Sequence, residues 1–259
     1  MSLRALLRDI CTGVEIYYTG RSEDEYLKTA FVLCDDYTEL TSKLWLLTDN
    51  PRWSDTHDKE ARRLGTARQN VAAMAKGEGT ATHEEIALVE GGNRFDKFKA
   101  YDEVLNDVHS VIEKKRARDV SALDGFQRAM KERRKQRNGF FHSAQLLSLT
   151  IGKSECVDAF CDLLDYGRLL FGAKWDDELK GARNLQTMEI LLRLEKKTAN
   201  APVLRSKIER IFEKWARNDT APSRGAMVAR YPNDLHLRLC VIYGDSELRI
   251  QLQTLLDTQ

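Results

Sequence analysis

The sequence predicts an all-α protein. Three observations carry that expectation: there are only four prolines among 259 residues, apolar residues recur at three- and four-residue steps through most of the chain, and no convincing run alternates apolar and polar residues as a half-buried strand would. The clearest element is a helix in which Tyr26, Ala30, Leu33, Tyr37, Leu40, Leu44 and Leu47 trace one apolar stripe. Ser22 and Glu25 make a capping box ahead of it, and Asn50-Pro51 closes it. A second helix is expected from about Thr56 to Lys76, ended by Gly77 and Gly79, and a third opens at the box Thr82 to Glu85 and is interrupted by Gly91-Gly92-Asn93. Phe95 to Arg118 follows, with Tyr101, Leu105, Val108, Val111 and Ile112 on its buried side. Val120 to about Gln136 then turns Leu123, Phe126 and Met130 inward and its basic residues outward.

The second half reads the same way. His142 to Leu149 continues helically to Gly152, and Ser154 starts an amphipathic helix through Val157, Cys161, Leu164 and Leu169 that Gly172 stops. Three further helices are expected at Trp175 to about Asn200, Pro202 to Trp215 and Leu235 to Leu256. The stretch from Asn218 to Asn233, rich in Pro, Gly, Ser and Asp, is the best candidate for a flexible connection. No internal repeat and no low-complexity tract stands out.

Composition narrows the function classes. With 42% hydrophobic and 31% charged residues, the chain suits one large folded domain or a domain with an appendage. Its five cysteines are odd in number and lack a CxxC pair or histidines at zinc-finger spacing, which points to a reducing compartment and away from a structural zinc. Met1 to Tyr18 is broken by Arg4, Arg8, Asp9 and Glu15, so it holds no signal-peptide core, and no stretch reaches the roughly 18 apolar residues of a membrane span. The expectation is a cytoplasmic protein with no membrane partner, no metal and no cofactor. Gly77-Glu78-Gly79 lacks the rest of a phosphate-loop signature, which weighs against nucleotide transfer.

Net charge is only +1, but its distribution is uneven. Lys114 to Arg137 holds ten Lys/Arg against three acids, a local surplus of seven that leaves −6 for the remainder. This stripe, with Arg133, Arg134 and Lys135 as its densest part, could track a phosphate backbone or could be a solvated helix face. At its end stands Arg137-Asn138-Gly139-Phe140-Phe141-His142. Arginine neutralises charge on a phosphate at any physiological pH, and histidine titrates near neutrality, so the pair offers what metal-free cleavage of RNA needs. Arg52 with His57 has the same gap and Arg230 with His236 is one residue longer, but both lie beside turn signals, whereas Phe140, Phe141, Ala144, Leu146 and Leu147 would anchor the Arg137 segment. On one ideal helix, five residues at about 100° each put Arg137 and His142 about 140° apart. Convergence then needs a helix break near Gly139 or a contribution from two chains.

The Arg137-Asn138-x-x-x-His142 pattern, a long amphipathic N-terminal helix with acidic positions, and a closing helix ending Asp162 to Gly172 together resemble the HEPN superfamily. The resemblance covers about residues 1 to 173. It implies a HEPN-like up-and-down helical bundle over 1–173; residues 174–259 have no counterpart in the resemblance and are expected to be a helical extension packed on or beside it. It further implies a homodimer with a composite ribonuclease cleft, in which RNA is cut by its own 2′-hydroxyl. His142 would exchange protons, Arg137 would stabilise the crowded phosphorane, and Asn138 would orient the histidine or the phosphate. Glu39, which lies with Asp36 off the apolar stripe, would pair with the motif arginine or else remain an exposed helix carboxylate. RNA is the expected substrate, an antitoxin or regulatory protein a further partner, and toxin or anti-phage defence the biological role. The alternative is a HEPN-like module without cleavage activity that acts in regulation or nucleic-acid binding.

Overall fold

A computed structural model describes residues 2–20, 23–54, 58–90, 99–142, 150–198, 202–217 and 246–258. These residues form eleven α-helices and one 3-10 turn, and no strand occurs among them. The helices are α1 (Leu3–Gly20), α2 (Asp24–Asp49), α3 (Asp58–Ala75), α4 (His83–Glu90), α5 (Tyr101–Lys115), α6 (Val120–His142), α7 (Lys153–Phe171), α8 (Ala173–Gly181), α9 (Arg183–Thr198), α10 (Pro202–Arg217) and α11 (Ser246–Asp257). The architecture is an all-α helical bundle, as the spacing of apolar residues predicts.

The chain divides into two compact units. Residues 1–44 and 118–259 make the first, and residues 45–117 make the second. The first has a continuous core from α1 (Leu6, Leu7, Ile10, Val14, Tyr17), α2 (Ala30, Phe31, Cys34), α7 (Phe160, Leu163, Leu164), Trp175 of α8 and Leu185, Met188, Leu191 and Leu192 of α9. Residues on both sides of position 173 therefore share one core, with α9 packed against α1, α7 and α11. In the second unit, Trp45 and Leu46 from the end of α2, Leu64 and Ala67 of α3, and Tyr101, Val104, Leu105, Val108 and Ile112 of α5 are buried.

Local chemistry explains most boundaries. The Ser2 hydroxyl accepts the backbone N–H of Ala5 at 3.2 Å, capping α1. The Thr82–Glu85 box closes reciprocally: the Glu85 carboxylate accepts the Thr82 N–H at 2.8 Å, and the Thr82 hydroxyl accepts the Glu85 N–H at 3.2 Å. At α7 the Glu155 carboxylate returns to the Gly152 N–H at 2.6 Å, and Gly172 ends the helix at φ +56°, a conformation that glycine adopts without a Cβ penalty.

Four elements depart from the expectation, and the first is α1, a helix not expected over residues 3–20. A single helix from Trp175 to Asn200 is instead α8 and α9, broken at Ala182, whose N–H turns back to the carbonyl of Leu179 just after Gly181. The helix expected to end near Gln136 continues to His142, so Gly139 does not break it. The most instructive departure is in α2. Tyr26 and Leu47, at the ends of the expected stripe, are 44% exposed, while its middle holds: Ala30 and Tyr37 are buried and Leu33, Leu40 and Leu44 pack against the core, and the buried face widens to take in Leu27, Phe31, Cys34, Thr38, Thr41, Ser42 and Trp45. Thr38, Thr41 and Ser42 donate their hydroxyls to the carbonyls of Cys34, Tyr37 and Thr38, four residues back, so they enter the core already hydrogen-bonded. A stripe drawn from apolar residues alone misses them. Ser22, the glycine run at 91–93, the segment 143–149 and the connection 218–233 lie outside the described residues.

Candidate functional site

Within the first unit, α6 and α2 face each other along a row of opposite charges. Both carry charge at helical spacing: Arg134 and Arg137 are three apart on α6, and Glu39 follows Asp36 by three residues and Asp35 by four on α2. Phe140 holds the end of α6 in the core, with its ring 6.2 Å from that of Phe31 in an edge-to-face arrangement. Arg137 Nη2 donates to Asp36 Oδ1 at 3.1 Å, and its Nε lies 3.8 Å from Asp35 Oδ2. Arg134 spans both levels, giving Nη1 to Asp35 Oδ2 and Nη2 to Glu39 Oε2, each at 2.5 Å. Lys43 completes the Glu39 carboxylate at 3.0 Å.

Asp35 is the centre of this cluster. Its side chain is 2% exposed and its Oδ2 faces both guanidiniums, whereas the Asp36 side chain is 42% exposed at the rim. Burial pushes the Asp35 carboxyl above its ordinary value, and the hydrogen bond and charge of Arg134, then the charge of Arg137, pull it back only in part. Burial works against the Arg134 charge as well, but Asp35 and Glu39 raise its pKa on balance.

The residues expected from sequence to make the site come together only in part. Arg137 and Asn138 lie in the last turns of α6, Arg137 braced by α2 and Asn138 exposed. His142 closes the helix, and its side chain lies outside the described residues. Because α6 is unbroken from 137 to 142, these two positions keep the separation of about 140° that helical geometry gives them. Glu39 does engage an α6 arginine, and that arginine is Arg134. Of the three cations considered for RNA, Arg133 reaches Asp162 of α7 at 2.8 Å with 12% of its side chain exposed, and Arg134 turns to α2. Lys135 is 72% exposed beside Glu132. Asp35 is the residue that sequence reasoning passed over. The signal that could have found it is the matched three- and four-residue spacing of acids on α2 and arginines on α6.

Other reactive groups are poorly placed for chemistry. Cys34, Cys156 and Cys161 are buried free thiols, and burial pushes Cys156 and Cys161 up to about 12, where the thiolate is scarce at neutral pH. Among the described residues, no group of three or more His, Cys, Asp or Glu is arranged to hold a metal ion. No described helix is long and apolar enough to cross a membrane. No protein-family description, no curated protein and no solved structure matches the chain.

Proposed function

We propose that this protein is a metal-independent endoribonuclease of HEPN type, active as a homodimer, with Arg137, Asn138 and His142 carrying the chemistry. The observation that supports it is the bracing of Arg137. A guanidinium held near the end of α6 by Asp36 and Asp35 is oriented before any substrate arrives, and preorganised charge is what stabilises a crowded phosphorane. Asn138 stands exposed next to it. With α6 continuous, Arg137 of one copy meets His142 of a second copy more readily than its own. The 2′-hydroxyl of RNA attacks the adjacent phosphate as the P–O5′ bond breaks, His142 moves the proton from the 2′-oxygen toward the departing 5′-oxygen, and Arg137 stabilises the charge that develops on the phosphate. A cytoplasmic toxin or anti-phage effector restrained by an antitoxin or regulatory protein is the role this chemistry fits.

Incubation of the pure protein with total RNA in EDTA tests the reading. RNA should be cut to fragments with 2′,3′-cyclic phosphate and 5′-hydroxyl ends while DNA survives. Arg137→Ala, Arg137→Lys and His142→Ala should each abolish cleavage with helical content retained, and specific activity should fall on dilution through the dimer dissociation range. Activity that is lost in EDTA and restored by a divalent ion overturns the mechanism.

A second reading, a HEPN-like regulatory or nucleic-acid-binding module without cleavage, is favoured by one observation. Arg133 and Arg134 are engaged by carboxylates of their own chain, so much of the basic stripe holds helices together. Intact RNA after incubation with a verified dimer selects this reading.

A further inference from the structure

The two carboxylates on Arg137 differ in a way that assigns them different tasks. Asp35 is buried, accepts a hydrogen bond from Arg134 on Oδ2 and holds the same oxygen 3.8 Å from Nε of Arg137 as a fixed charge. Asp36 is at the rim, 42% exposed, and takes a terminal nitrogen of Arg137 at 3.1 Å. An exposed carboxylate that leaves a guanidinium is rehydrated at once, so an ion pair of this kind contributes little to stability and separates easily. A buried carboxylate has no such escape and stays paired. Arg134, 3.7 Å from Asp36, is already committed to Asp35 and Glu39 through both of its terminal nitrogens.

We infer that Asp36 is an exchangeable counter-ion that occupies the anion-accepting end of Arg137 and is displaced by a phosphodiester, while Asp35 keeps the guanidinium in place. The inference rests on the proposed RNA-directed role of Arg137 and adds its regulation: the resting site is closed by the chain's own carboxylate. A phosphodiester carries its charge on oxygens that suit the planar guanidinium, so it can take the place of the Asp36 carboxylate on Nη2.

The test is a double-mutant cycle read by binding, not by cleavage. A fluorescein-labelled 2′-O-methyl RNA oligonucleotide, which cannot be cut by 2′-hydroxyl attack, is titrated with wild type, Asp36→Asn, Arg137→Gln and the double variant. Asp36→Asn should tighten binding by about threefold in the wild-type background, the scale of an exposed ion pair, and leave it nearly unchanged in the Arg137→Gln background. Equal tightening in both backgrounds would reduce the effect to a general loss of negative charge and overturn the inference, as would no tightening in either or no binding by wild type. Should Arg137→Gln lower the melting temperature, Arg137→Lys keeps a charge beside Asp35 without the fork, and the same cycle is read with it. Cleavage of unmodified RNA is scored separately. Coupling without cleavage leaves the exchange standing and the ribonuclease reading refuted, whereas cleavage without coupling does the reverse.

Discussion

At the scale of single residues, the balance around Asp35 has consequences for stability and for its pH dependence. Arg134→Ala removes the closer of two guanidiniums from a carboxylate that is 2% exposed, and should cost roughly 2–3 kcal/mol, below the value for a fully buried pair because Arg134 itself is 20% exposed. Asp35→Asn in the same background should restore part of that loss, since no buried charge then lacks its partner. The pH dependence has a definite sign. Burial raises the folded-state pKa of Asp35 above its ordinary 3.8, so the folded protein holds this proton more tightly than the unfolded chain. The stabilisation from that proton is full below the ordinary value and is lost as pH rises through the folded value. Urea denaturation of wild type and Asp35→Asn across the acidic range should therefore show wild type losing ground to the variant as pH rises. Parallel curves would mean that the arginines cancel burial, and wild type gaining on the variant would mean that they outweigh it.

Among elements, α7 and α8 approach closely at Gly167. A Cβ built on Gly167 would lie 2.3 Å from the Trp175 ring, which is fully buried and stacks on Phe171 at 6.0 Å between centroids. Nothing at that distance can be absorbed by a flexible chain end, so α7 and α8 must move apart. Gly167→Ala should cost about 3 kcal/mol, the upper end for overpacking, and lower the melting temperature. Trp175→Leu, which clears the ring from the site, should recover stability in the Gly167→Ala background while destabilising the otherwise wild-type protein. Purely additive effects of the two changes would show that the glycine is needed for some reason other than ring clearance.

For the whole molecule, the main consequence concerns where the chain can be cut. Trp175, Leu185, Met188, Leu191, Leu192 and Leu252 are all buried in the core that α1 and α7 share. A fragment of residues 1–173 would expose the α1 and α7 faces that they cover. We expect it to keep helical content but to melt without a sharp transition and to bind a hydrophobic dye, the behaviour of a chain that has lost specific packing. A cooperative melt of this fragment would establish that the first 173 residues hold a sufficient core of their own. Activity assays on that region are best made on the full chain, because loss of cleavage in the fragment would say nothing about Arg137.

The sequence by itself determined where most helices lie and how they start and stop. Apolar spacing, the Thr82–Glu85 box and the Gly172 terminus act within a few residues, so the chain carries them wherever it folds. It also held the α1 pattern of Leu3, Leu6, Leu7, Ile10, Val14 and Tyr17, whose three- and four-residue steps mark a buried helix face between the charged residues. Tertiary structure decided how wide a face of α2 is buried, because hydroxyls bonded to their own helix can enter a core that apolar counting would close to them. It decided the partners of the arginines as well. Arg134 meets Asp35 across 99 residues of chain, and Arg137 meets Asp36 across 101. A row of like charges on one helix reads as solvated until the facing helix supplies the opposite row, and only folding brings the two rows into contact.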